Sequence, residues 1–80
     1  GDNIEHFRDI VKNRQEKAIK FSDRSMKVDM WTASAIISVY DTVNDANKKR
    51  IAELANGSTK DIFSLQTIVT KLVSKASKKG

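Results

Sequence analysis

Eighty residues bound a single domain with a small hydrophobic core. The chain has no cysteine and one histidine, His6. That excludes disulfides, thiolate metal centres and the usual zinc sites, which need about four ligands drawn mostly from Cys and His. A net charge of +5 admits nucleic acid or an acidic partner, and equally a merely solvated surface.

There is no proline, and of three glycines only Gly57 lies inside the chain. Helix breakers are nearly absent, and apolar and polar residues alternate over no long run. The expectation is an all-α fold: one domain over 1–80, a compact bundle of four short helices around a buried central second helix.

Asp2 and Asn3 are good N-caps. Ile4, Phe7, Ile10, Val11, Ala18 and Phe21 then recur at helical spacing, predicting a first helix over 4–21 with Glu16 and Lys20 as an i, i+4 pair. Arg14 falls within that apolar stripe, either as a stem covering the core edge and paired with Asp29 or Asp41, or as an interface arginine. Ser22–Ser25 reads as the connection.

The second helix is expected over 26–43, capped at Ser25 or Asp29. Val28, Met30, Trp31, Ile36, Ile37, Val39, Tyr40 and Val43 spread over roughly 260° of the wheel. No Lys or Arg occurs from Val28 to Asn47. A helix apolar nearly all round is expected to be buried on most sides, with Ala33, Ser34, Ala35 and Ser38 allowing close approach.

Asn44-Asp45 ends this helix and caps a third over 45–55. Asn56-Gly57 is a stop, with Gly57 suited to the left-handed position after a helix. Ser58 and Asp61 form a variant capping box for a fourth helix over 59–77. Its apolar face is Ile62, Leu65, Ile68, Val69, Leu72, Val73 and Ala76.

Within Phe21–Asn47, the run KVDMWTASAI (Lys27 to Ile36), followed by VYD (Val39 to Asp41) and VN (Val43, Asn44), resembles small helical proteins and terminal domains of marine tailed bacteriophages, cyanophages especially. The resemblance implies a phage-encoded, soluble, helical protein of the host cytoplasm or the virion. It implies no activity, cofactor or partner and carries over no functional residue.

A catalytic reading finds little to work with. Any Ser-His device needs His6 as its base, and no serine stands at helical spacing from it. Asp29 and Asp41 are about 120° apart on the helix wheel, which suits caps better than a carboxylate pair. One internal glycine cannot build a phosphate-binding loop. The expectation is no enzyme and no cofactor. The longest apolar-leaning stretch, Met30–Tyr40, falls short of the roughly 20 residues of a membrane span, so no membrane partner is expected.

Two function classes remain. The first is a non-enzymatic interaction or assembly module. Helix 2 is too apolar for short neighbours to cover, which points to a homo-oligomer, with Arg14, Trp31, Tyr40 and Phe63 as interface candidates. Core packing competes for Trp31 and Tyr40, and the helix 3–4 turn competes for Phe63. The alternative is a small basic nucleic-acid-binding protein using Lys48, Lys49, Arg50, Lys71, Lys75 and Lys78 against phosphates. For those six the plain counter-reading is a solvated face. A helix-turn-helix at Gly57 fits poorly, since Glu53, Asn56 and Ser58 stand where small or apolar residues belong.

Overall fold

A computed structural model describes the backbone of residues 2–78 and the side chains of residues 2–72. In chain order the elements are α1 (Asn3–Asn13), β1 (Lys17–Lys20), β2 (Ser25–Val28), α2 (Met30–Thr42), α3 (Asp45–Ala55) and α4 (Thr59–Lys78). Four helices make up most of the chain. The purely helical reading is corrected by β1 and β2, an antiparallel hairpin in which Ile19 faces Met26 and Lys17 faces Val28. The first helix ends at Asn13 instead of residue 21, and the second begins at Met30 instead of residue 26.

The reason is local. After Val11 come six polar residues, Lys12 to Lys17, so a continued helix there would have no apolar stripe to bury. Beyond them the spacing changes to two. Ile19 and Phe21 on one side of the turn, and Met26 and Val28 on the other, point to one face. Ile19, Phe21 and Val28 are buried and Met26 is half-buried. A two-stranded hairpin alone is marginal in water; this one is held because its apolar face closes the core over α1. Glu16 accordingly pairs with Lys27 across the base of the hairpin at 3.4 Å, not with Lys20.

Arg14 is corrected too. It lies outside the helical stripe, exposed, as the C-cap of α1 in the left-handed conformation (φ 54°, ψ 41°), its N–H donating to the Ile10 carbonyl. It is the one non-glycine residue with positive φ among the described residues. A Cβ there costs on the order of 1 kcal/mol. Arg14→Gly is therefore expected to stabilise the fold by about 0.5–1 kcal/mol, a rise of roughly 3–6 °C in Tm. A lowered Tm would show that the Arg14 side chain makes a contribution larger than its backbone strain.

The helix ends follow their caps. Asp2 accepts from the Ile4 N–H, Asp29 from Thr32 at 2.7 Å and Asn44 from Asn47 at 3.0 Å. Ser58 and Asp61 form the reciprocal capping box: the Asp61 N–H donates to Ser58 Oγ at 3.2 Å and the Ser58 N–H to Asp61 Oδ2 at 3.1 Å. Gly57 is not left-handed, which corrects that expectation. What favours glycine is space, because a Cβ at Gly57 would meet the Asp61 carboxylate and push it out of the box. The hairpin turn is latched to the same corner. Asp23 accepts from the Thr59 hydroxyl at 2.6 Å and the Thr59 N–H at 2.9 Å, and these bonds hold its carboxyl below the usual range. Ser22 donates to the Gly57 carbonyl at 3.0 Å.

All elements share one core, in which Phe7, Ile10, Ile19, Ile36, Leu65 and Val69 are fully buried. Helix α2 touches α1, α3 and α4, so it is central in its contacts. It is not buried on most sides, however: only Thr32, Ala33 and Ile36 are. Its neighbours leave one face open to solvent.

Candidate interaction surfaces

The open face of α2 begins with Trp31, 59% exposed in the first turn, beside Met30 at 46%. It continues through Ser34, half-exposed, and Ser38 and Thr42, both exposed, three small side chains at helical spacing. Its one acid is neutralised. Arg8 of α1 holds Asp41 with two bonds, at 2.7 and 3.1 Å. The hydrogen bond from Arg8 is the main cause lowering the Asp41 carboxyl below its usual range. Tyr40 is half-buried between two cations, with Arg8 Cζ 5.7 Å and Lys48 Nζ 5.8 Å from its ring centroid. The cluster ties α1, α2 and α3 together and fixes Tyr40 as a bracing residue.

A second surface is a groove of about 190 Å³ between α3 and α4, closed at one end by Val39 and Val43 of α2. The buried Ile51, Leu65 and Val69 form its floor, with Leu54 also lining it from α3 and Ile68 and Leu72 from α4. Ile68 is 49% and Leu72 45% exposed. The groove exists because α3 is too short to cover α4. Eleven residues span about 16 Å and 20 residues about 30 Å. The floor is filled from below by α2, while Ile68 and Leu72 at the outer edge of α4's apolar stripe stay half exposed. Sites for small molecules usually enclose about 300 Å³ or more, so this groove matches one or two protein side chains better than a whole ligand.

Phe63, 49% exposed, lies on the opposite flank of α4. It borders a depression shared with Asp29, Thr32 and Gln66, where Gln66 Nε2 donates to Thr32 Oγ1 at 3.2 Å.

Placed on this fold, the four interface candidates do not form one patch. Arg14 caps α1, Trp31 opens α2, Tyr40 lies nine residues further along α2, and Phe63 stands on α4. The basic candidates are also spread. Successive helical residues point about 100° apart, so Lys48 reaches Tyr40, Lys49 faces solvent and Arg50 borders the groove. Lys71 is exposed beside Ile68. The side chains of Lys75 and Lys78 fall outside the described residues.

Sequence reasoning missed Ile68, Leu72 and Leu54 as surface features, although the first two were placed on the apolar stripe of the fourth helix. The signal available was the mismatch in length between the third and fourth helices. His6 is half-exposed, with Nδ1 accepting from Lys17 Nζ at 3.1 Å when the ring proton sits on Nε2. Among the described residues no group of three His, Asp or Glu side chains gathers as a metal site, and no helix is long and apolar enough to cross a membrane. No protein-family model matches this chain, and no curated protein or solved structure is significantly similar to it.

Proposed function

We propose that this chain is a non-enzymatic protein-interaction module that self-associates through the open face of α2. The observation that carries this reading is Trp31, a large aromatic side chain 59% exposed beside Met30 on a helix face that continues through the small residues Ser34, Ser38 and Thr42. Tryptophan contributes strongly to association when desolvated. Ser34, Ser38 and Thr42 let a second helix approach closely. Charge favours a second copy as the partner. In a chain of net charge +5, no Lys or Arg occurs between Val28 and Asn47, and the cation that reaches this face from α1, Arg8, is paired with Asp41, so two copies meet there with little opposing charge.

The contact is small. Thirteen residues of helix span about 20 Å, which places the interface below about 1,200 Å² in total, in the class of weak and transient complexes. Sedimentation equilibrium up to about 1 mM chain detects association free energies of about −4 kcal/mol. A growing dimer fraction is expected, with Trp31→Ala weakening it by about tenfold or more while its thermal melt stays close to that of the parent. A strict monomer at the highest concentration overturns self-association.

The nucleic-acid reading draws less support. Of its described candidates, Lys48 is engaged with Tyr40 and Arg50 faces a groove with an apolar floor. The resemblance of the Phe21–Asn47 segment to marine-phage proteins adds a phage-encoded origin to the proposal, and with it the host cytoplasm or the virion as location.

A further inference from the structure

We infer that the outer edge of β2 takes up an extended peptide segment of a partner protein as a third strand, with an apolar side chain at every second position. This goes beyond the α2 contact of the proposed module and uses another surface and another kind of partner.

The pairing of the hairpin decides which main-chain groups face outward. The Phe21 N–H donates to the Arg24 carbonyl at 2.9 Å, so Phe21 and Arg24 form a hydrogen-bonded pair. In an antiparallel ladder such pairs alternate with pairs whose N–H and C=O groups point away from each other. From the register, Ile19 with Met26 and Lys17 with Val28 are the bonded pairs, while Lys20 with Ser25 and Ala18 with Lys27 point outward. The β1 edge turns toward α1, where the Lys20 carbonyl accepts from Asn3 Nδ2 at 3.1 Å. On the β2 edge the outward N–H and C=O of Ser25 and Lys27 take part in no hydrogen bond among the described residues. Unpaired groups of this kind are a template for another strand.

The surroundings of that edge fit a strand. Residues 26–29 line one side of a trough of about 250 Å³, and Ile62, Phe63 and Gln66 of α4 line the other. Val28 and Ile62 are buried, Met26 is half-buried and Phe63 is exposed. Met26 and Val28 point to the core side of the hairpin, so alternate side chains of an added strand point the same way, toward Ile62 and Phe63. The polar side chains of the trough already have partners. Asp29 accepts from the Thr32 N–H at 2.7 Å, Gln66 donates to the Thr32 hydroxyl at 3.2 Å, and Glu16 pairs with Lys27 at 3.4 Å. What the trough offers a partner is therefore main-chain donors and acceptors, repeated every two residues or about 7 Å. A phosphate backbone supplies acceptors alone and leaves the carbonyls without donors. A second copy of this chain fits badly, since its own α4 lies beside its β2 and would be brought against the first.

The test uses the intact chain and a labelled eight-residue peptide with valine and threonine alternating between charged ends. Two twins carry N-methyl groups, one on its threonines and one on its valines. The N–H groups of a strand alternate in direction, so only one set meets β2: the threonines for an antiparallel strand, the valines for a parallel one. Fluorescence anisotropy is expected to show saturable binding of the parent peptide, at least a tenfold loss in one twin and little change in the other. Lys27→Pro removes an outward N–H without touching a bond of the hairpin, and should weaken the peptide by about tenfold or more with an unchanged melt. Lys27→Ala removes the same charge, keeps the N–H and should bind as the parent chain does. Should Lys27→Pro unfold, Phe63→Ser on the opposite wall is expected to weaken the peptide by about tenfold.

No saturable binding, equal loss in both twins, no loss in either, or Lys27→Pro binding as tightly as Lys27→Ala overturns the inference. So does a parent chain that ignores the peptide while Lys27→Pro abolishes its dimers, which would assign the edge to a second copy. Because the α2 contact is read separately by sedimentation of Trp31→Ala, loss of peptide binding with Trp31-dependent dimers intact removes only the edge. A strict monomer that still binds the peptide removes only self-association.

Discussion

Ile19→Ala is expected to lower the stability of the folded chain by about 2–5 kcal/mol. Ile19 is 1% exposed and sits among Phe7, Phe21 and Val28 in the core. Truncation loses its transfer free energy and leaves a cavity that a rigid hairpin closes poorly. An 80-residue domain has a total stability of about 4–12 kcal/mol, so the loss is a large share of the whole. The neighbouring Ala18 is exposed on the solvent face of β1. Ala18→Ser is therefore expected to change stability by no more than about 0.5 kcal/mol. The pair separates two architectures, because a helix over 4–21 puts Ala18 on the buried stripe and Ile19 beside it. Urea unfolding of both variants reads the difference directly. A near-neutral Ile19→Ala with a costly Ala18→Ser would restore the continuous helix and remove the hairpin.

That contrast shows where the sequence was readable. Boundaries written in caps came through: Ser58 with Asp61 fixes the start of α4, and Asn44 the start of α3. These signals are local, since a side-chain oxygen satisfies an N–H two or three residues on. The hairpin was harder because each strand is four residues long. Ala18 and Phe21 satisfy a three-residue spacing while Ile19 and Phe21 satisfy a two-residue spacing, and periodicity cannot arbitrate over so short a run. The six polar residues from Lys12 to Lys17 were the better guide, as no helix face is continuous through them.

The candidate surfaces were legible as residues and not as places. Trp31 and Phe63 could be picked out by type, and both are exposed. The breadth of apolar residues on α2 suggested burial on most sides, yet burial depends on how many neighbours exist to cover a helix. Here α1 and α4 flank α2, and among the described residues no element covers the side that bears Trp31. The groove depends on the unequal lengths of two helices and on how far α2 fills the space beneath them. Both are tertiary quantities. Arg50 becomes a groove residue only when α3 is seen beside Ile68 and Leu72 of α4.

Asn3→Ala should cost about 2–4 kcal/mol, more than is ordinary for a polar residue in a first helical turn. Asn3 is 5% exposed, and its Nδ2 donates to the Ala55 carbonyl at 2.8 Å and the Lys20 carbonyl at 3.1 Å. One side chain thus closes the C-terminal end of α3, the end of β1 and the start of α1. Its own N–H donates to Asn56 Oδ1 at 2.9 Å, a bond that alanine keeps. The loss falls on two carbonyls, left facing an apolar methyl without their donor. Asn3→Asp separates donor from volume. It preserves shape and places an acid near a helix N-terminus, worth about 0.3–1 kcal/mol in favour. A carboxylate cannot donate, however, and its oxygens would confront two carbonyl oxygens, so the net effect is destabilisation at least as large as for alanine. Only the protonated acid can donate to one of those carbonyls, so the folded state raises the pKa of the introduced group. The variant then binds more protons folded than unfolded, and its stability must fall as pH rises through the carboxylate range. Urea midpoints for Asn3→Asp that decline between about pH 4 and pH 7 relative to the parent, with Asn3→Ala tracking the parent, are the expected pattern. Parallel pH profiles for all three chains would place the Asn3 side chain away from those two carbonyls and release α1 from the hairpin and α3.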